Sequence, residues 1–161
     1  MMRVAVTDGM AKEAVKKLES AGCDVIQEFI EHDDLVNGAL AEFDAVIVRS
    51  ATKISEEMMQ ASLPRLKVIA RAGVGVDNID VDAASRLGLP VVNAPRASTQ
   101  SVVELTIGHL LGSLRFIPRA DRSLRSGQWA KKELKGTELF GKRLGLIGFG
   151  RIAQGVAKVA Q

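Results

Sequence analysis

The sequence predicts an α/β protein built on a doubly wound parallel sheet. Three observations carry that expectation. Short apolar runs recur along residues 1–95 with helical patterns between them, the spacing of βαβ units. Five such runs are enough for a small sheet covered by helices on both faces. Near the far end, residues 143–153 (R-L-G-L-I-G-F-G-R-I-A) join an apolar run to a helical pattern through a glycine turn.

Each element follows from its residues. Residues 3–7 make a first strand that ends at Asp8-Gly9. Residues 11–21 place Ala14, Val15 and Leu18 on one side and Lys12, Lys16, Lys17 and Glu19 on the other, an amphipathic helix closed by Gly22. Val25-Ile26 gives a second strand, and Asp33 or Asp34 is placed to cap a helix carrying Leu35, Val36, Ala39 and Leu40. Residues 44–48 form a third strand. Ser55 caps a short helix with Glu56 and Glu57 in its dipole-favoured first turn. Residues 68–70 form a fourth strand, Asp80 caps the helix that Gly88 ends, and residues 90–93 form a fifth. The first domain closes near Pro95.

The style then changes. Residues 98–117 hold the longest helical pattern, with Val103, Ile107, Leu110, Leu114 and Ile117 in one stripe and Val102, Leu105 and Leu111 outside it. A helix apolar most of the way round is expected to lie buried among several elements, as a connector between domains or subunits. Glu104 and His109 interrupt it and are expected to be a buried, hydrogen-bonded pair rather than a catalytic dyad. Pro118 bends or restarts the helix, and an arm over about 118–140 leads to Leu144, Leu146 and Ile147, fit for a buried strand. Gly148 and Gly150 then open a helix whose unpaired N–H groups suit a pyrophosphate, with Ala153 small enough for close packing. The acidic residue that such a turn pairs with a ribose, about 20 residues past the first glycine, would lie beyond Gln161.

Composition removes several classes of function. Cys23 is the only cysteine, so no internal disulfide forms, a reducing cytoplasm is the expected compartment, and the thiol is expected as buried filler. The N-terminus lacks a signal-peptide core, and no apolar run is long enough to span a membrane. The net charge of +3 hides an asymmetry. Residues 1–114 hold 11 Lys/Arg against 16 Asp/Glu, whereas residues 115–143 hold 9 against 3. Arg115, Arg119, Arg122 and Arg125 recur at helical spacing with few aromatics between them, which marks a solvated or subunit-facing side rather than a nucleic-acid surface. Opposite signs on the two segments suit contact between chains.

Ligands of parallel sheets bind beyond the carboxyl ends of the strands. The third strand delivers Arg49-Ser50-Ala51-Thr52-Lys53, the fourth Arg71-Ala72-Gly73-Val74-Gly75-Val76-Asp77-Asn78, and the fifth Asn93-Ala94-Pro95. Two arginines, a lysine and a G-x-G loop make a positive cup for an anionic small molecule, with backbone N–H groups able to hold a carboxylate or phosphate. A phospho-acceptor signalling domain of the same topology would need a carboxylate at the end of the third strand, where Val48-Arg49 stands.

At these residues a resemblance emerges. V-R-S-A-T-K (48–53), R-A-G-V-G-V-D-N (71–78), N-A-P (93–95), V-V-E-L (102–105) and G-K-R-L-G-L-I-G-F-G-R-I-A (141–153) occur in that order over nearly the whole chain. Together they resemble the D-isomer-specific 2-hydroxyacid dehydrogenases, and within them the phosphoglycerate branch. Ala153 stands where the family usually has glycine. The resemblance implies a flavodoxin-like substrate-binding domain over 1–95 and, over 96–161, the start of a Rossmann domain that binds NAD. It implies that Arg49, Ser50, Arg71, Gly73, Val74 and Gly75 bind the acidic substrate. Val74 would also approach the nicotinamide, and Gly148, Gly150, Arg151 and Ile152 would hold the pyrophosphate. It implies a homodimer through the long helix and following arm. The family's catalytic histidine, glutamate and arginine belong to a later part of the fold, and neither His32 nor His109 matches them, so the chain alone is expected to be inactive. A glycerate, glyoxylate or lactate dehydrogenase, or a non-catalytic hydroxy-acid-binding module, are the alternatives.

Overall fold

The computed structural model describes residues 1–161, and the chain divides into two compact units, Met1–Ala97 and Ser98–Gln161.

In the first unit five strands form one parallel sheet: β1 (Met2–Val6), β2 (Cys23–Gln27), β3 (Ala45–Val48), β4 (Val68–Arg71) and β5 (Val91–Asn93), in the order β2-β1-β3-β4-β5. That order reverses direction between β1 and β3, the flavodoxin-like arrangement. Helices α1 (Lys12–Ser20), α2 (His32–Val36), α3 (Glu56–Ser62) and α4 (Val81–Arg86) fill the connections. Alternation along the strands sends Ala5, Val46, Val48 and Ile69 into one core with Leu40, Ile54, Met58, Met59 and Leu66. Each such fully buried aliphatic side chain stabilises by about 1.5–3 kcal/mol. The opposite face holds a smaller cluster of Val4, Val6 and Ala45, flanked by half-buried Cys23, Val25, Ile47 and Val68. Coverage of the two faces is therefore unequal, and Cys23 is half-buried instead of enclosed.

Caps fall where the side chains predict them at two helices. Ser55 Oγ accepts from Met58 N at 3.4 Å and Asp80 Oδ1 accepts from Ala83 N at 2.9 Å. The expected aspartate cap of the second helix does not form. Glu31 precedes α2 without a side-chain cap bond, and Asp33 and Asp34 sit inside the first turn, where the helix dipole favours their charge. The helix also stops at Val36, and Ala39–Glu42 continues as a separate 3₁₀ turn.

The second unit contains α5 (Thr99–Leu114), α6 (Ile117–Arg125), a 3₁₀ turn at Lys131–Glu133 and α7 (Arg151–Val159). The helix does restart at Pro118, because Phe116 adopts a left-handed conformation with φ 55° and Pro118 lies at the start of α6. Three expectations fail here. Val103 is the one buried residue of α5, while Leu105 and Leu111 stay exposed, so the helix is not enclosed. Too few elements in this unit surround it. Glu104 accepts from Gln100 Nε2 at 2.7 Å, and both it and His109 are exposed, so the two form no buried pair. Residues 144–147 form no strand, and Ile147 is fully exposed. An extended segment becomes a strand only by pairing, and no strand of this unit offers a ladder partner.

Candidate functional site

Register sets out the site. Val48 of β3 pairs with Arg71 of β4, and Arg71 with Asn93 of β5, so three strands end level with one another. The segments beyond these ends carry the residues predicted to meet an anion. Arg49 and Ser50 are exposed and Arg71 is half-buried. Ala72 N donates to Val48 O at 2.9 Å and Ala94 N to Gly73 O at 2.9 Å, which extends the ladder past each strand end and stiffens the rim.

The loop bearing Arg49 is fastened from both sides. Asp8, at the end of β1, accepts on Oδ2 from the backbone N–H groups of Arg49 at 2.7 Å, Ala51 at 3.1 Å and Thr52 at 3.1 Å. Its Oδ1 accepts from the Thr52 hydroxyl. Burial pushes the Asp8 carboxyl up, but the Thr52 side-chain and backbone bonds, with those from Arg49 and Ala51, outweigh it and hold it below the usual carboxylate range. From the other side Asn78 Nδ2 donates to Arg49 O at 2.8 Å and to Thr52 O at 2.6 Å. A bridge between Ile54 and Ile79 then closes the loop onto the stretch that follows the G-x-G turn.

The arginines stand in different settings. Arg71 folds back over its own loop, so that a Cβ added at Gly73 would lie 1.5 Å from Nη1. Its Nε is buried with no hydrogen-bond acceptor in the chain. A buried donor without a partner is costly, and an anionic ligand would satisfy it. Val74 is 39% exposed, and its carbonyl accepts from Asn93 Nδ2 at 2.7 Å. At Gly75 an added Cβ would meet Asp77 Oδ1 at 2.8 Å. The cup is therefore less uniformly positive than its arginines and lysine suggest, because Asp8 lies beneath one arm and Asp77 beside the other. Reading strand ends for cations missed both the role of Asp8 and the clamp made by Asn78. An aspartate closing the first strand was the available signal.

The second unit holds the glycine turn. Gly148 has φ 83°, Gly150 precedes α7 in an extended conformation, and no side chain caps the helix. Cβ atoms at either glycine would meet nothing within 4 Å, so a ligand can approach the backbone. The first-turn N–H groups, including those of Arg151 and Ile152, have no intrahelical partner. These residues fit a pyrophosphate, although the strand predicted before them is absent. Close packing falls at Gly155, where an added Cβ would lie 2.6 Å from Val103 Cγ2. No group of three or more His, Cys, Asp or Glu side chains is placed to hold a metal, and no helix is long and apolar enough to cross a membrane.

A five-stranded parallel sheet in the order β2-β1-β3-β4-β5, with helices in its connections, defines an α/β protein of doubly wound type. Residues 4–158 match the model of the D-isomer-specific 2-hydroxyacid dehydrogenase catalytic domain. The chain belongs to that family of oxidoreductases. It is 46% identical over 161 residues to a D-3-phosphoglycerate dehydrogenase of Methanocaldococcus jannaschii, covering all of this chain and 30% of that protein. It is 49% identical over 159 residues to a hydroxypyruvate reductase of Thermotoga maritima, covering 98% of this chain and 51% of that protein. Among solved structures, the NAD+-bound 3-phosphoglycerate dehydrogenase of Entamoeba histolytica superposes with a TM-score of 0.73 at 33% identity, over 99% of this chain and 50% of that one. The chain thus spans between about a third and a half of the length of these relatives.

Proposed function

We propose that residues 1–95 are the substrate-binding domain and residues 96–161 the opening of the nucleotide-binding domain of an NAD-dependent enzyme. That enzyme oxidises D-3-phosphoglycerate to 3-phosphohydroxypyruvate at the entry to serine synthesis. One observation carries the reading: Arg49 and Arg71 leave level ends of adjacent strands, and Arg71 Nε is buried without an acceptor. A carboxylate or phosphate supplies that acceptor.

On this reading Arg49, Ser50 and Arg71 hold the acid, with the backbone of Gly73, Val74 and Gly75 lining its other side. Val74 borders the nicotinamide, and Gly148, Gly150, Arg151 and Ile152 hold the pyrophosphate. NAD, when bound, supplies the acceptor for the hydride leaving the 2-carbon of the acid. The residues of this chain bind and orient. Proton transfer is not assigned to His32, at the start of α2, or to His109, in α5, because neither stands at a strand end. The exposed Leu105, Leu111, Ile117 and Leu124 of α5 and α6 support a homodimer through the long helix and its following arm.

Calorimetric titration with 3-phosphoglycerate tests the reading. Binding that Arg71→Gln weakens, without NADH production by the isolated chain, is the expected result. No binding, or binding indifferent to Arg71→Gln, overturns it. The hydroxypyruvate reductase at 49% identity favours a second reading, an unphosphorylated 2-hydroxy acid as substrate. Competition between 3-phosphoglycerate and D-glycerate separates the two.

A further inference from the structure

In parallel sheets of this strand order the crevice between β1 and β3, where the connections diverge to opposite sides, is the place a ligand is expected. Here the chain's own Asp8 reaches across from the end of β1 to the loop that follows β3. The N–H groups of Arg49, Ala51 and Thr52 converge on one oxygen, Asp8 Oδ2, at 2.7, 3.1 and 3.1 Å. Backbone N–H groups of neighbouring loop residues aimed at one point form a concavity that attracts an anion. Asp8 comes from a strand more than forty residues away and reaches the loop as an anion would.

We propose that residues 49–52 form an anion nest which the chain fills with its own Asp8 carboxylate. Asp8 thereby acts as a positioning residue for Arg49 and Ser50, turning an anionic substrate away from the β1/β3 crevice and toward the β3/β4 edge. The second half rests on reading Arg49 and Arg71 as substrate contacts; the first half does not. Two features support the assignment. Asp8 Oδ1 accepts from the Thr52 hydroxyl, and from the Thr7 hydroxyl at 3.3 Å, so both carboxylate oxygens reach this loop. Asn78 holds the carbonyl side of the same loop, at Arg49 O and Thr52 O, which leaves the N–H side to Asp8 alone.

The test uses the 161-residue chain with ¹⁵N-labelled amides and 3-phosphoglycerate titrations of the wild type, Asp8→Ala and Asp8→Asn. In Asp8→Ala the Arg49, Ala51 and Thr52 amide resonances move, and 3-phosphoglycerate affinity falls by about tenfold or more. Sodium formate, a free carboxylate, returns the three amides and the affinity toward wild type, whereas sodium chloride at equal ionic strength does not. A residue that only stabilised the fold would show no such rescue. Wild-type affinity in Asp8→Ala, or formate that leaves the three amides unmoved, overturns the proposal. Should Asp8→Ala fail to fold, Asp8→Asn decides. Its loss of charge is expected to move the same amides and weaken binding, and wild-type behaviour in both overturns the proposal. A wild-type chain that does not bind 3-phosphoglycerate overturns the substrate reading, and the formate measurement then judges the nest by itself.

Discussion

The guanidinium of Arg71 occupies the space where a side chain on Gly73 would begin, since a Cβ there would lie 1.5 Å from Nη1. The glycine thus leaves room for the arginine's present rotamer, and a side chain there would push the guanidinium aside. If Arg71 holds 3-phosphoglycerate as proposed above, Gly73→Ala is expected to displace Arg71 and to weaken that binding by about tenfold or more, the scale of a lost charge-assisted contact. Calorimetry alongside a thermal melt checks this. Unchanged affinity with a folded variant would show that Arg71 does not need its present position.

Asn78 ties the two arms of the site together through its bonds to Arg49 O and Thr52 O. Asn78→Ala is expected to cost about 1–2 kcal/mol in urea unfolding, since it leaves two carbonyls without their donor. Asn78→Asp should cost more, because a carboxylate would face two carbonyl oxygens. Equal stability of the two variants would contradict this.

At the opposite end of the sheet, Asp44 gathers three partners. It accepts from Arg3 N at 2.9 Å, from Arg65 Nη2 at 3.3 Å and from Lys67 Nζ at 3.4 Å. The Arg3 backbone bond leads, burial opposes it, and the Lys67 bond with the Arg65 and Lys67 charges completes a net depression below the ordinary 3.8. A depressed carboxyl stabilises the fold above its unfolded-state value and loses that contribution as pH falls through the folded value. Wild type should therefore exceed Asp44→Asn in stability near neutrality. The gap should close as pH falls through the ordinary carboxylate value and then through the lower folded one, measured by denaturant titration at each pH. A gap that stays constant would show that Asp44 does not titrate with folding.

In the second unit two helical glycines should respond in opposite ways. A Cβ at Gly155 would lie 2.6 Å from Val103 Cγ2, whereas one at Gly108 would meet nothing within 4 Å. Gly155→Ala gains helix propensity but forces the α5–α7 contact apart, a cost of about 1–3 kcal/mol. Gly108→Ala keeps only the gain, about 0.5–1 kcal/mol. Circular-dichroism melts should move down for the first and up for the second.

The alternation of elements and the residues at the strand ends were legible from the order of amino acids alone. Strands such as residues 44–48 and caps such as Ser55 and Asp80 are local patterns, written within a few neighbouring residues, and the structure places all of them close to where those patterns put them. Relationships across long separations came only with folding. Asp8 meets the Arg49 loop from more than forty residues away, and Asn78 from twenty-nine for Arg49. Those contacts come from the parallel order β2-β1-β3-β4-β5, which brings the ends of β1 and β4 to either side of β3. The same reason explains the failures at α5 and at residues 144–147. Apolar pattern states what a segment would bury, but burial and pairing need a neighbour, and only the folded chain shows whether one is there.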